Sequence, residues 1–336
     1  MKPSLKALTF IVLLSLTAAC SRAPKHFTTE VLLPFTPVKD QGGKQTCWAY
    51  AMLSAIETEH ICRGDSVHLS VAFIERALER EADAPPTNRG MGITAVNMML
   101  KHGIVPFDAM PVDSLPLPRY AFMAGCEYTP QEFARSVCAP EEYIGLGTSS
   151  KHPYFEDFEP ELPDNWEHNR LLNLPPDSLL ATAERAVRQR HGVCWEGDIS
   201  EWGFDREDAI ADIAFYSGST TDDHCMAIVG IAHDENDKRY FIMKNSWGSE
   251  NGPYGGLVYL SFDYFLEKTV AVFLPAVCAQ PLPSHEGKTA QPLPSLQGEG
   301  CPKGGVGSLT PSASLPKIQT PPLPLPLKGG EWLRHT

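Results

Sequence analysis

The chain has 336 residues, an apolar fraction of 43% and a net charge of −13. Those values allow a real core and one enzyme-sized domain. With no long Lys/Arg run, they argue against nucleic acid as the main partner, but they do not identify a substrate.

The opening residues, MKPSLKALTFIVLLSLTAAC, carry Lys2 and Lys6 ahead of an apolar stretch from Ala7 to Ala19. That stretch is short for a bilayer span and ends in small residues, so residues 1–20 are expected to be an export signal. Thr17, Ala18 and Ala19 lead into Cys20, a run that resembles a bacterial lipobox. Lipidation at Cys20 would make the protein an exported lipoprotein held at a membrane surface, on the periplasmic or cell-surface side. Cleavage nearby is the alternative. Residues 21–34 read as a linker and 35–277 as the folded domain. The nine cysteines of an exported chain invite a disulfide count. Cys126 and Cys138 are the candidate bridge, and the reading that most thiols are reduced and buried stays open beside it.

Helical periodicity covers Thr46 to about Cys62, then Leu69 to Arg80 with Ser70 as N-cap, and Met91 to Gly103, where the glycine stops the helix. Residues 105–176 are rich in proline and are expected to form a surface insertion with short helical stretches at best. PPDSLLATAERAVRQRHG opens a fourth helix on Pro175 and Pro176 and ends at Gly192. From there the pattern changes to strands: VCWEGDI, HCMAIVGIAH, RYFIMKNSW and GLVYLSF, with HDENDKRY as a hairpin loop. Helices first and an antiparallel sheet second make an α+β pattern. The tail, 278–336, repeats AQPLPS and is rich in Pro, Gly and Ser. It is expected to be disordered or polyproline-like.

Four residues stand where chemistry would need them. Cys47 sits at the expected start of the first helix, where the helix dipole lowers a thiol's pKa. His224 heads one apolar strand and Asn245 ends the next, joined by one hairpin. The Asn oxygen can therefore accept the ring N–H and fix the tautomer. Trp247 can shield that bond from water. An oxyanion formed on an amide needs donors placed in advance. The Cys47 N–H is one and the Gln41 side chain, six residues upstream, is the other; Gly42 and Gly43 let the loop between turn tightly. Each signal alone fits a packing role, but the set of Gln, Cys, His and Asn with a Trp beside both Cys and Asn does not.

The blocks QGGKQTCWAYA, DDHCMAIVGI and KNSWG resemble the active-site blocks of the papain-like cysteine peptidases. The resemblance implies a two-lobed fold, a helical lobe followed by an antiparallel β lobe with the active-site cleft between them. It implies that Gln41 is the oxyanion glutamine, Cys47 the nucleophile, His224 the general base and acid, and Asn245 its orienter. It places Met91, Gly92 and Asp223 as substrate-binding residues. Lys44 stands where the family has a disulfide cysteine. Cys47 and His224 are 177 residues apart, longer than the roughly 130–150 of the papain type. That gap and WEGDISEWGF look more like the bleomycin hydrolase and aminopeptidase C branch, whose members trim peptide N-termini with their own C-terminus in the cleft. The Pro-rich tail of this chain departs from that pattern. A cysteine peptidase acting on peptide or protein is thus expected, with an aminopeptidase as the narrower form. The alternatives are a catalytically silent binding module and an amide or acyl transferase using the same triad. No metal-ligand spacing and no phosphate-binding glycine loop is found, so no metal and no cofactor is expected. By strand alternation Cys225 should point away from the His224 side, into the core. His191 and His233 read as solvated turn residues, and Asp222 as either an influence on His224 or the end of a loop.

Overall fold

The computed structural model describes residues 24–213 and 220–279. The expectations for the export signal, Cys20 and the tail beyond residue 279 fall outside these residues. Six α-helices are present: α1 (Cys47–Arg63), α2 (Val71–Leu78), α3 (Gly92–His102), α4 (Pro130–Val137), α5 (Pro176–Arg188) and α6 (Phe262–Lys268). The strands are β1 (Phe27–Leu32), β2 (Ala121–Met123), β3 (Cys126–Tyr128), β4 (Tyr143–Gly147), β5 (Asp157–Phe158), β6 (Leu171–Asn173), β7 (Val193–Gly197), β8 (Phe204–Asp205), β9 (Ile210–Ala211), β10 (His224–Asp234), β11 (Arg239–Lys244), β12 (Leu257–Ser261) and β13 (Thr269–Pro275).

Eleven strands form one sheet in the order β5-β6-β4-β13-β7-β10-β11-β12-β9-β8, with β1 added beside β10. Most neighbours are antiparallel, but β4 with β6 and β12 with β9 run parallel, so the sheet is mixed. β10 is long enough to hold two partners along one edge. Its first half pairs with β7, from His224 opposite Gly197 to Ile228 opposite Val193. Its second half pairs with β1, from Gly230 opposite Leu32 to Asp234 opposite Phe27.

Both faces of the sheet are covered, which is why its strands read as near-continuous apolar runs. On one face α1, α2 and α3 pack with Cys194, Cys225 and Phe273. On the other, Leu179, Ala183, Ala186 and Val187 of α5 meet Val193, Trp195, Met226 and Ile228. The alternation of β7 thus sends Cys194 to the first face and Val193 and Trp195 to the second. Gly92, first residue of α3, seats that helix on the sheet: a Cβ there would lie 2.5 Å from the Phe273 ring and 2.9 Å from the Cys194 sulfur.

Three expectations are corrected. Residues assigned to a linker form β1, because Phe27 stacks on Tyr259 at 3.7 Å and gives the segment a side chain to bury. The region 105–176 is more than a surface insertion: β4 pairs with β13 inside the main sheet, with Leu146 wholly buried. Its prolines fall between the elements, where they cost no ladder hydrogen bond. α6 ends the run first read as strand GLVYLSF, since the Ser261 hydroxyl accepts the Tyr264 N–H and starts a helix. Cys126 is exposed while Cys138 is buried, and none of the described cysteines is paired in a disulfide.

Candidate active site

The nucleophile candidate opens α1. Cys47 is its first residue, and the preceding Thr46 makes no side-chain cap bond; its hydroxyl donates to Glu75 instead, at 2.7 Å. The helix start therefore keeps unsatisfied N–H groups and its positive end toward the sulfur. The Cys47 thiol is held well below the ordinary thiol range. A hydrogen bond from the Cys225 thiol is the largest cause; burial opposes it, and a hydrogen bond and the charge of His224 add to it. The Cys225 backbone lowers it further.

β10 and β11 bring the other two groups together. Their register pairs Ala227 with Lys244, so His224 and Asn245 lie just beyond the same end of the ladder. His224 Nε2 is 2.8 Å from Asn245 Oδ1. The Ser246 N–H donates to the same atom at 2.8 Å. Two donors converging on it identify it as the carboxamide oxygen, which can only accept. The ring proton thus sits on Nε2 and leaves Nδ1 able to take a proton from a thiol. Trp247 covers the pair, with its ring centroid 4.9 Å from that of His224, and His224 and Asn245 are each 4% exposed. On its outer side Trp247 carries the Arg206 guanidinium at 4.9 Å.

Gln41 is fixed at both ends of its carboxamide. Its oxygen accepts the Ser246 hydroxyl and its nitrogen donates to the Lys44 carbonyl at 2.7 Å. The Gln41 N–H also donates to Ser246 O at 2.8 Å, so the loop is tied to the strand that carries Asn245. One amide proton remains for a ligand. Gly42 turns the chain at φ +60°. Lys44, where a resembling family has cysteine, makes ion pairs with Glu75 (2.6 Å) and Asp113 (2.7 Å) and so anchors the same loop by charge.

Gln41, Cys47 and His224 line one cavity of ≈ 180 Å³, with Asp223 on its wall. Met91 and Gly92 do not line it. Met91 is wholly buried and Gly92 faces the sheet, and the wall is made by Arg89 and Gly90 immediately upstream. Cys225 also departs from expectation: it belongs to the core yet reaches the cavity and the nucleophile. His191 is half-buried against Glu59 at 3.0 Å, and His233 lies within β10, not in a turn.

The residues that sequence reasoning missed lie on the wall beside His224. The Arg89 Nε is 2.8 and 2.9 Å from the two Asp164 oxygens, and Arg89 also donates to the Asp222 carbonyl. Glu196 of β7 is wholly buried; its Oε2 accepts the Gly92 N–H at 2.9 Å. Burial pushes Asp222 up to about 7 and Glu196 well above the usual carboxylate range, each against the other's charge or proton. A glutamate inside an otherwise apolar strand was the one available signal. Arg89 and Asp164 are 75 positions apart and gave none.

A cysteine at a helix start facing an imidazole oriented by a carboxamide is the layout of a thiol hydrolase. The comparisons agree with that class. No protein-family model matches the sequence. The chain is 25% identical over 168 residues to Aminopeptidase W of Lactobacillus delbrueckii subsp. lactis, covering 43% of this chain and 38% of that one. It is 25% identical over 149 residues to Aminopeptidase G of the same organism, covering 38% of this chain and 34% of that one. The chain thus spans under two-fifths of each curated relative. The crystal structure of PepW from Lactobacillus rhamnosis HN001 superposes with a TM-score of 0.57 at 15% identity, over 82% of this chain and 90% of that one. The fold is that of PepW, and the likenesses are consistent with the bleomycin hydrolase and aminopeptidase C branch of the papain-like cysteine peptidases.

Proposed function

We propose that the chain is a cysteine-type peptidase with Cys47, His224 and Asn245 as its triad and Gln41 as an oxyanion donor. The observation that carries this is the 2.8 Å bond from His224 Nε2 to Asn245, made beside a thiol held in its acidic form at the start of α1. The printed names of the relatives support a peptidase role. In this reading the α1–α3 side and the strand side are two lobes, and the cavity is part of the cleft between them.

His224 Nδ1 takes the Cys47 proton and the thiolate attacks a peptide carbonyl carbon. The carbonyl oxygen, now negative, receives the Cys47 N–H and the remaining Gln41 amide proton. The C–N bond breaks as His224 returns its proton to the leaving amine, which departs and leaves a thioester on Cys47. Water, deprotonated by His224, then splits the thioester and restores the thiol. Export and a lipid on Cys20 belong to the same proposal, as the place where a peptidase of this kind would work; mass spectrometry of Cys20 from membrane fractions tests it.

Cys47→Ala is expected to abolish peptide hydrolysis and labelling by iodoacetamide at this position. Hydrolysis undiminished in that variant would end the proposal.

A further inference from the structure

The wall beside His224 holds more charge than the triad chemistry uses. Arg89, just before α3, reaches across the cavity. Its guanidinium grips Asp164 of the 105–176 region and donates to the Asp222 main chain, two residues from His224. The Trp166 indole N–H adds a second tie from the same region to the Arg89 carbonyl, at 3.1 Å. Helix side, strand side and the 105–176 region are thus laced together at one end of the ≈ 180 Å³ cavity. An extended peptide cannot run on through that end.

Asp222 is left with an unusual role. Arg89 is neutralised by Asp164 and spends its other arm on a carbonyl, so it does not pair with the Asp222 carboxyl. Asp223 beside it is engaged by the Thr221 hydroxyl at 2.8 Å. Asp222 Oδ2 and Glu196 Oε1 are buried, and neither meets a donor from another residue. Two acceptors facing each other in a buried place need a proton or a cation between them. Glu196 is wholly buried behind the wall, so it keeps the proton and gives it to Asp222. Asp222 lines the cavity, so its remaining capacity faces whatever enters. The facing groups are Cys47, His224, Arg89 and Asp164, and only the last two are already paired.

We propose that Asp222 is the specificity-determining residue of this site and takes the α-ammonium of a substrate whose N-terminus lies in the closed end of the cavity. The idea rests on the peptidase reading for its polarity. The carbonyl to be attacked lies at Cys47, and a chain closed off upstream must end within a residue or two of it, where consecutive Cα atoms are about 3.8 Å apart. An ammonium there meets an anionic oxygen in a site with little water, whereas an acetylated terminus brings no charge and more bulk. The substrates are then short peptides or protein termini with a free amine, trimmed from the N-terminal end.

The test uses the full chain and one peptide made in two forms, free and N-acetylated. Two quantities are read: kcat/KM for cleavage, and the protection that each peptide gives Cys47 against iodoacetamide. The free form is expected to be favoured about tenfold to a hundredfold by the wild type in both. In Asp222→Asn that preference should fall to near unity, with the loss mainly in KM. Equal treatment of the two peptides by the wild type overturns the proposal, as does a preference that survives intact in Asp222→Asn. The wild-type comparison decides even if the variant folds poorly. Selective protection without cleavage would keep Asp222 in its role and remove the peptidase reading. Cleavage that depends on Cys47 but ignores acetylation would do the reverse.

Discussion

Helices α4 and α1 begin in opposite ways. α4 opens on a full capping box: the Thr129 hydroxyl accepts the Glu132 N–H, and the Glu132 carboxylate accepts the Thr129 N–H. α1 opens on Thr46, which gives its hydroxyl away to Glu75, and no acidic residue stands in the first turn. A missing cap costs about 1 kcal/mol. What α1 gains is a positive, unsatisfied end beside a sulfur. The first start is closed for stability, and the second is left open for a negative charge that belongs to the reaction.

The largest way to break that contrast is to remove the second source of thiol acidity. His224→Ala should lower kcat/KM by about a thousandfold and should end the preferential alkylation of Cys47. In the wild type the lowered Cys47 thiol is already ionised at pH 5.5. Burial pushes Cys138 up to about 12 and Cys278 up to about 11, so they stay protonated there. Mass spectrometry after brief iodoacetamide treatment at pH 5.5 should find Cys47 carrying the label and those two without it. Equal labelling of the three would show that the open helix start and the imidazole do nothing to the sulfur.

Next in size is Gln41→Ala, expected to cost about a hundredfold in kcat with KM little changed, since the donor acts on the oxyanion and not on the bound peptide. A loss confined to KM would place Gln41 in binding instead.

The carboxyl pair gives a smaller effect with a definite sign. Asp222 titrates near 7 in the fold against about 3.9 unfolded. Its folded form therefore holds a proton that the unfolded chain has lost, and stability falls as pH rises between those two values. Asp222→Asn lacks that loss. Its stability relative to wild type should improve by about 2 kcal/mol from pH 4 to pH 7 and then level off. Parallel urea curves across that range would show that the two carboxyls do not share a proton. The smallest change is Thr129→Ala, which should cost about 1 kcal/mol by urea unfolding and leave Cys47 labelling as it was.

Much of the helical side was legible because its signals are local. Ser70 was readable as a cap, and its hydroxyl does accept the Phe73 N–H at 3.1 Å. Gly103 ends α3 with its N–H on the Met99 carbonyl. The hairpin between β10 and β11 was readable from its turn residues, and so was the approach of His224 to Asn245. The 105–176 region was not legible in the same way. β4 and β6 are short, their partners lie far along the chain, and a Pro-rich composition hides strands that are ordered only by the sheet they join. Met91 and Gly92 were placed one step too far, because periodicity fixes a helix start only to within a residue or two.

The sequence by itself determined the helix that carries Cys47, the hairpin that joins His224 to Asn245, and the chemistry those residue types can do. These depend on neighbours in the chain, where hydrophobic period and turn chemistry act directly. Only the tertiary structure decided what surrounds the thiol. Cys225 beside Cys47, Arg89 across to Asp164, and Glu196 against Asp222 are contacts between distant segments. Each takes its meaning from burial, which gives an unpaired acceptor or a second thiol its energetic weight, and no local pattern reports burial at that depth.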